Sequence, residues 1–103
     1  MSVIKVTADN FEDEVVKSNG TVVADFNADW CGPCRMLAPV LEDFAEEHKN
    51  VKVVSINIDE EDELAEEYDV SSIPCLVFFK DGVEFDRSVG FRQKEDIEEL
   101  VGE

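Results

Sequence analysis

Thr21-Val22-Val23-Ala24-Asp25-Phe26-Asn27, followed by Ala28-Asp29-Trp30 and then Cys31-Gly32-Pro33-Cys34, is the stretch on which the reading of the fold turns. Its first seven residues form an apolar run broken by one acid, the pattern of a strand covered on both faces, so a central strand is expected over Thr21–Asn27. Beyond it Leu37, Val40, Leu41 and Phe44 recur at helical spacing and predict a helix over about 34–48, with Pro39 expected to kink it. The cysteine pair therefore falls where a strand gives way to a helix.

Working outward, residues 2–6 read as a short first strand. Thr7 or Asp9 is placed to cap a helix through about Lys17, with Phe11 and Val15 on its inner face and Asn19-Gly20 ending it. Residues 51–58 are rich in β-branched side chains and predict another strand; 61–68 predict a short acidic helix with Leu64, Ala65 and Tyr68 turned inward. Cys75–Lys80 and Val83–Val89 flank Asp81-Gly82, a two-residue hairpin signal. A last amphipathic helix over 93–101 buries Ile97, Leu100 and Val101. The order is β-α-β-α-β-α-β-β-α, an α/β pattern with no repeat or linker, and layer rules give a mixed sheet between helices with right-handed crossovers. One domain over 1–103 is expected.

The 103 residues carry 26 acids against 9 Lys and Arg, a formal charge of −17. Such a surface repels nucleic-acid phosphates and anionic membranes, so neither is an expected partner. Its simplest meaning is a well-solvated surface; partner selection and adaptation to high salt are the other readings. No run approaches the roughly eighteen apolar residues of a membrane span, and residues 1–6 lack the basic head and apolar stretch of a secretory signal. A cytoplasmic, monomeric protein is the expectation.

Three cysteines do not make a disulfide framework, and in a reducing cytosol a close pair is expected to be catalytic or metal-binding. Cys31 and Cys34 lie one turn apart at a helix start, where unpaired N–H groups and the helix dipole stabilise an anion. Cys31, nearer the helix tip and solvent, is the expected nucleophile on a substrate disulfide; Cys34 then resolves the mixed disulfide. Gly32 leaves room for a partner backbone and Pro33 restricts the turn. The alternatives are a packing or structural-disulfide role, or a zinc site, for which only Cys75 and His48 remain as further Cys or His ligands. Asp25 is the other candidate: an acid inside an apolar strand is costly unless it stays neutral or has a role, and burial should raise its pKa. Hydrogen bonding to its surroundings alone would also explain it.

Trp30-Cys31-Gly32-Pro33-Cys34 after Val23-Ala24-Asp25-Phe26, with Ile73-Pro74 and Val89-Gly90 downstream, resembles the thioredoxin family over essentially the whole chain. The resemblance implies a thioredoxin-like three-layer fold, a central mixed sheet flanked by helices, and a general protein disulfide reductase recharged by a thioredoxin reductase, with no cofactor or metal of its own. It implies that Asp25, through a water, accepts the proton of Cys34 during resolution, and that Pro74 follows a cis peptide bond and presents the Ile73 backbone to a substrate strand. Read on its own, Pro74 is an ordinary trans proline at a strand start. Trp30, Gly32, Pro33, Ile73, Pro74, Val89, Gly90 and Phe91 would form an apolar patch for extended protein segments, with ordinary packing as the plainer reading of Val89.

Three positions depart from the commonest family pattern. Asn27 stands where an aromatic is frequent, which should weaken packing beneath the pair. Ser55 stands where many members place a lysine near the buried acid, so Asp25 should be harder to ionise. Cys75 stands where threonine is usual and is expected to be a buried small hydrophobe rather than a regulatory or metal-binding thiol. His48, at a helix end, is expected to supply a favourable charge there and no catalysis. Three functions are thus in play: a disulfide reductase, which leads; an oxidase or isomerase; and a redox-inert binding module.

Overall fold

In a computed structural model, which describes residues 2–102, the stretch Thr21–Asn27 (β2) is the middle of a five-stranded sheet. Its apolar run is explained by position: β2 pairs in parallel with Lys52–Asn57 (β3) on one side and antiparallel with Cys75–Lys80 (β4) on the other. Val3–Lys5 (β1) adds in parallel to β3, and Val83–Val89 (β5) closes the far edge antiparallel to β4, giving the order β1-β3-β2-β4-β5. Asp81 and Gly82 both take positive φ, 50° and 84°, which is the backbone a tight two-residue hairpin between twisted strands requires.

Because side chains alternate along a strand, β2 feeds two cores. Val22, Ala24 and Phe26 point to one face and pack with Phe11, Val15, Leu64 and Phe79, with Tyr68 partly buried against them. Val23 points to the other, where Leu37, Leu41 and Phe44 of the long helix Gly32–Glu47 (α1) meet Leu76 and Phe78 of β4 and Ile97 of the last helix, Lys94–Val101 (α3). Each fully buried side chain of this size contributes about 1.5–3 kcal/mol. Leu100 and Val101 pack against this core only in part. The short helix Asp62–Glu67 (α2) contributes Leu64 and Ala65.

Two expectations are corrected. The segment before β2 is not a capped α-helix but a single π turn, Glu12–Val16, closed by a bond from the Lys17 N–H to the Glu12 carbonyl at 2.8 Å. Phe11 occupies the cap position without a side-chain bond. Neither Thr7 nor Asp9 is the cap: Thr7 Oγ1 accepts the Asp9 N–H at 3.3 Å, and the Thr7 N–H is taken by Asn10 Oδ1 at 2.7 Å. The second correction is that α1 begins at Gly32, two residues earlier than its apolar spacing indicates, and continues through Pro39. Pro33 is tolerated in the first turn because an N–H there has no partner to lose.

Candidate active site

Starting α1 at Gly32 makes Cys31 the residue that caps it. Cys31 is extended (φ −89°, ψ 112°), and its Sγ accepts the Cys34 N–H at 3.2 Å. No acid occupies the first turn of α1, so no carboxylate competes for the positive end of the helix. Cys31 and Cys34 are joined as a disulfide with Cα atoms 5.2 Å apart. Exposure does not distinguish the two, at 5% and 4%, contrary to the expectation that Cys31 is nearer solvent. The capping position does distinguish them: it is the Cys31 sulfur that receives an N–H at the head of the helix.

Asp25 lies on the α1 side of β2 and is 4% exposed. It shares a cleft of about 440 Å³ with Cys34, Asn27 and Ser55. Burial pushes its carboxyl up to about 7 from an ordinary value of 3.8, against a smaller opposing effect of the Asn27 hydrogen bond. Oδ2 accepts from Asn27 Nδ2 at 3.1 Å, whereas Oδ1 is buried without a hydrogen-bond partner. A carboxyl titrating near neutrality beside a thiol is suited to taking up and releasing a proton.

Around the pair, Ala28, Ile58 and Ile73 pack against the two cysteines. The Ile73–Pro74 peptide is cis. Gly90, at φ 98°, donates its N–H to the Pro74 carbonyl at 2.8 Å and so brings the end of β5 alongside this segment. Trp30 is 67% exposed, yet its ring is held by a bond from Nε1 to Asp59 Oδ2 at 2.9 Å. Val89, Phe91 and Met36 are also exposed. A side chain at Gly32 would meet nothing within 4 Å, so no contact inside the chain requires a glycine there.

Sequence reasoning missed Asp59, Ala28, Ile58 and Met36. Asp59 belongs to a run of acids, and nothing local marks it as the partner of a tryptophan 29 residues away. Cys75 is 1% exposed, in the core on the sheet face away from α1, where burial pushes its thiol up. His48 lies at the opposite end of α1 from the pair, its Nε2 2.7 Å from Glu98 Oε2 and its ring against Phe44. The remaining ligands of the zinc reading are thus not assembled at Cys31 and Cys34. Among the described residues, the acid and histidine groups that do converge are Glu47, His48 and Glu98, with Glu47 also paired to Lys94.

A family model described as Thioredoxin matches residues 2–103. A thioredoxin of Bacillus subtilis is 48% identical over 102 residues, covering 98% of this chain and 96% of its own. One from Chlamydia trachomatis is 47% identical over 96 residues, 93% of this chain and 92% of its own. Among solved structures, a mutant thioredoxin from Halobacterium salinarum NRC-1 superposes with a TM-score of 0.90 at 39% identity, covering 97% of this chain and 88% of that one.

Proposed function

This chain belongs to the thioredoxin family and is a protein disulfide reductase, and we propose that Cys31, Cys34 and Asp25 divide its reaction as follows. The Cys31 thiolate attacks one sulfur of a substrate disulfide; that S–S bond breaks, one substrate thiolate leaves, and Cys31 is held in a mixed disulfide. The Cys34 proton passes to Asp25, and the Cys34 sulfur attacks that of Cys31. The second substrate thiolate leaves with the electron pair of the broken bond. Two electrons have moved from the dithiol to the substrate, and the chain is left with the Cys31–Cys34 disulfide.

The observation that carries this division is the cap: Cys31 Sγ, not Cys34 Sγ, receives a backbone N–H at the helix start. A thiolate there is stabilised by a hydrogen bond and by the dipole together. Trp30, Gly32, Pro33, Ile73 and Gly90 form the substrate surface, with the buried Pro74 setting the turn that presents Ile73. Its support is the packing of Ile73 on the cysteines, the Gly90 to Pro74 bond, and a Gly32 that leaves space no internal contact uses. An extended substrate strand would bond to the Ile73 backbone.

Reopening the disulfide takes two electrons and two protons, for which a thioredoxin reductase is the proposed donor. A reducing compartment, the cytoplasm, is the proposed setting, because thiols are kept reduced there and the dithiol form is resupplied. No helix among the described residues is long and apolar enough to cross a membrane.

The test is reduction of insulin by dithiothreitol. The protein should accelerate it, Cys31→Ser and Cys34→Ser should each abolish the acceleration, and Cys34→Ser should accumulate a mixed disulfide on Cys31. Trapping on Cys34, or activity surviving either substitution, contradicts the division of roles.

A further inference from the structure

Asn27 and Ser55 meet at Asp25. Asn27 lies two residues beyond Asp25 on β2 and so points to the same face, and Ser55 is the residue of β3 in register with Asp25. Asn27 Nδ2 faces three oxygens: Ser55 Oγ at 2.8 Å, Asp25 Oδ2 at 3.1 Å and the Asp25 carbonyl at 3.1 Å. Only the NH2 end of the amide fits there, since the reversed amide would bring its oxygen against the carbonyl and the carboxylate.

The charged and titratable groups around the cleft are otherwise engaged. From α1, Arg35 donates to the Asp29 carbonyl and Glu42 accepts the N–H groups of Ser2 and Val3. From the loop before α1, Asp29 accepts from Asn57. Cys34 is the remaining titratable group from α1, β1 presents Val3, and β4 places Leu76 in register with Asp25 and, next to it on the opposite face of the sheet, Cys75, whose thiol the Asp25 charge helps to push up. The donor on the Asp25 carboxyl, among the described residues, is the neutral amide of Asn27.

We propose that Asn27 is a positioning residue for the resolving step: anchored by Ser55, it holds Oδ2 of Asp25 and leaves Oδ1 as the oxygen that takes the proton of Cys34. This rests on Asp25 being the proton acceptor, as argued above. The S–H bond of Cys34 breaks, an O–H bond forms on Asp25, and the sulfur keeps the electron pair with which it attacks Cys31. A neutral donor favours the ionised carboxyl without adding a charge to the cleft. Asn27 is therefore part of the proton-transfer apparatus, and more than a loss of packing.

The experiment is stopped-flow reaction of the reduced protein with dithiobis-nitrobenzoate across pH. The second thionitrobenzoate is released when Cys34 resolves the mixed disulfide on Cys31. In the parent protein this second phase should accelerate as Asp25 ionises, with a midpoint near 7. Asn27→Leu, which removes the donor, should move that midpoint up by about one pH unit, the worth of one hydrogen bond to a charged group. Ser55→Ala should move it the same way by less. A merely structural role would lower stability and leave the midpoint in place.

Asp25→Asn separates the two claims. If it erases the acceleration while Asn27→Leu and Ser55→Ala keep the parent midpoint, the positioning role is overturned and the acceptor role stands. If Asp25→Asn keeps the parent profile, the acceptor role fails and the positioning role with it. Should Asn27→Leu not fold, an unshifted midpoint in Ser55→Ala overturns the proposal.

Discussion

Replacing Asp25 by Asn should stabilise the protein, and increasingly so as pH rises. The folded protein holds the Asp25 proton until about pH 7, whereas an unfolded chain releases it near 3.8. Between those values the unfolded state binds fewer protons, so the parent's stability falls as pH climbs from about 4 through 7 and is flat beyond. Each pH unit of separation is about 1.4 kcal/mol, which sets the whole cost of ionising Asp25 at about 4 kcal/mol. Roughly 1.5 kcal/mol of this is already incurred at pH 5, so about 2.5–3 kcal/mol is lost between pH 5 and 8.5. Asn has no such cost and still offers an oxygen to Asn27. Urea unfolding of the oxidised forms, followed by far-UV circular dichroism, should show the Asp25→Asn advantage growing by about 2.5–3 kcal/mol from pH 5 to pH 8.5. An advantage of constant size across that range would refute the reasoning, since it would mean that Asp25 titrates alike in the folded and unfolded chain.

Two further outcomes follow from the packing. Gly82 has φ 84°, and an added Cβ would sit 2.2 Å from the Val16 carbonyl oxygen, so Gly82→Ala should cost about 2–4 kcal/mol in urea unfolding. A cost below about 0.5 kcal/mol would mean that the hairpin tip does not press on the π turn. Cys75 is buried with its thiol pushed up, so the reduced native protein should give two readily titrated thiols at pH 8 and a third only on unfolding. Rapid labelling of Cys75 in the native state would contradict that burial.

The central strand was legible because Val22, Val23, Ala24 and Phe26 face two cores at once, and burial on both sides leaves an unbroken apolar run. The helices were legible from the spacing of Leu37, Leu41 and Phe44 and from Ile97. Their ends were not: Gly32 and Pro33 look like residues outside a helix, yet the first turn accepts both, and the capping atom is a sulfur. The π turn leaves no mark in the sequence because Phe11 and Val15 have the spacing of an α-helix, while the bond that widens the turn is made by the backbone of Lys17.

The site divides the same way. Cys31, Cys34 and Asp25 stand out by residue type in an apolar context, and that context is local. In the sequence Asn27 looks like a packing loss, because its partner Ser55 reaches it from the neighbouring strand. The bond from Trp30 to Asp59 is likewise a product of the fold. What the sequence could not display was side-chain bonding between elements distant in the chain, and the setting of the buried acid depends on it.

All of the chemistry depends on Cys31 ionising easily, and the rate of its alkylation by iodoacetamide in the reduced protein, followed against pH and assigned to Cys31 by mass mapping, measures that directly. The cap predicts a midpoint below the roughly 8.5 of a free cysteine. A midpoint at the free-cysteine value would contradict the account.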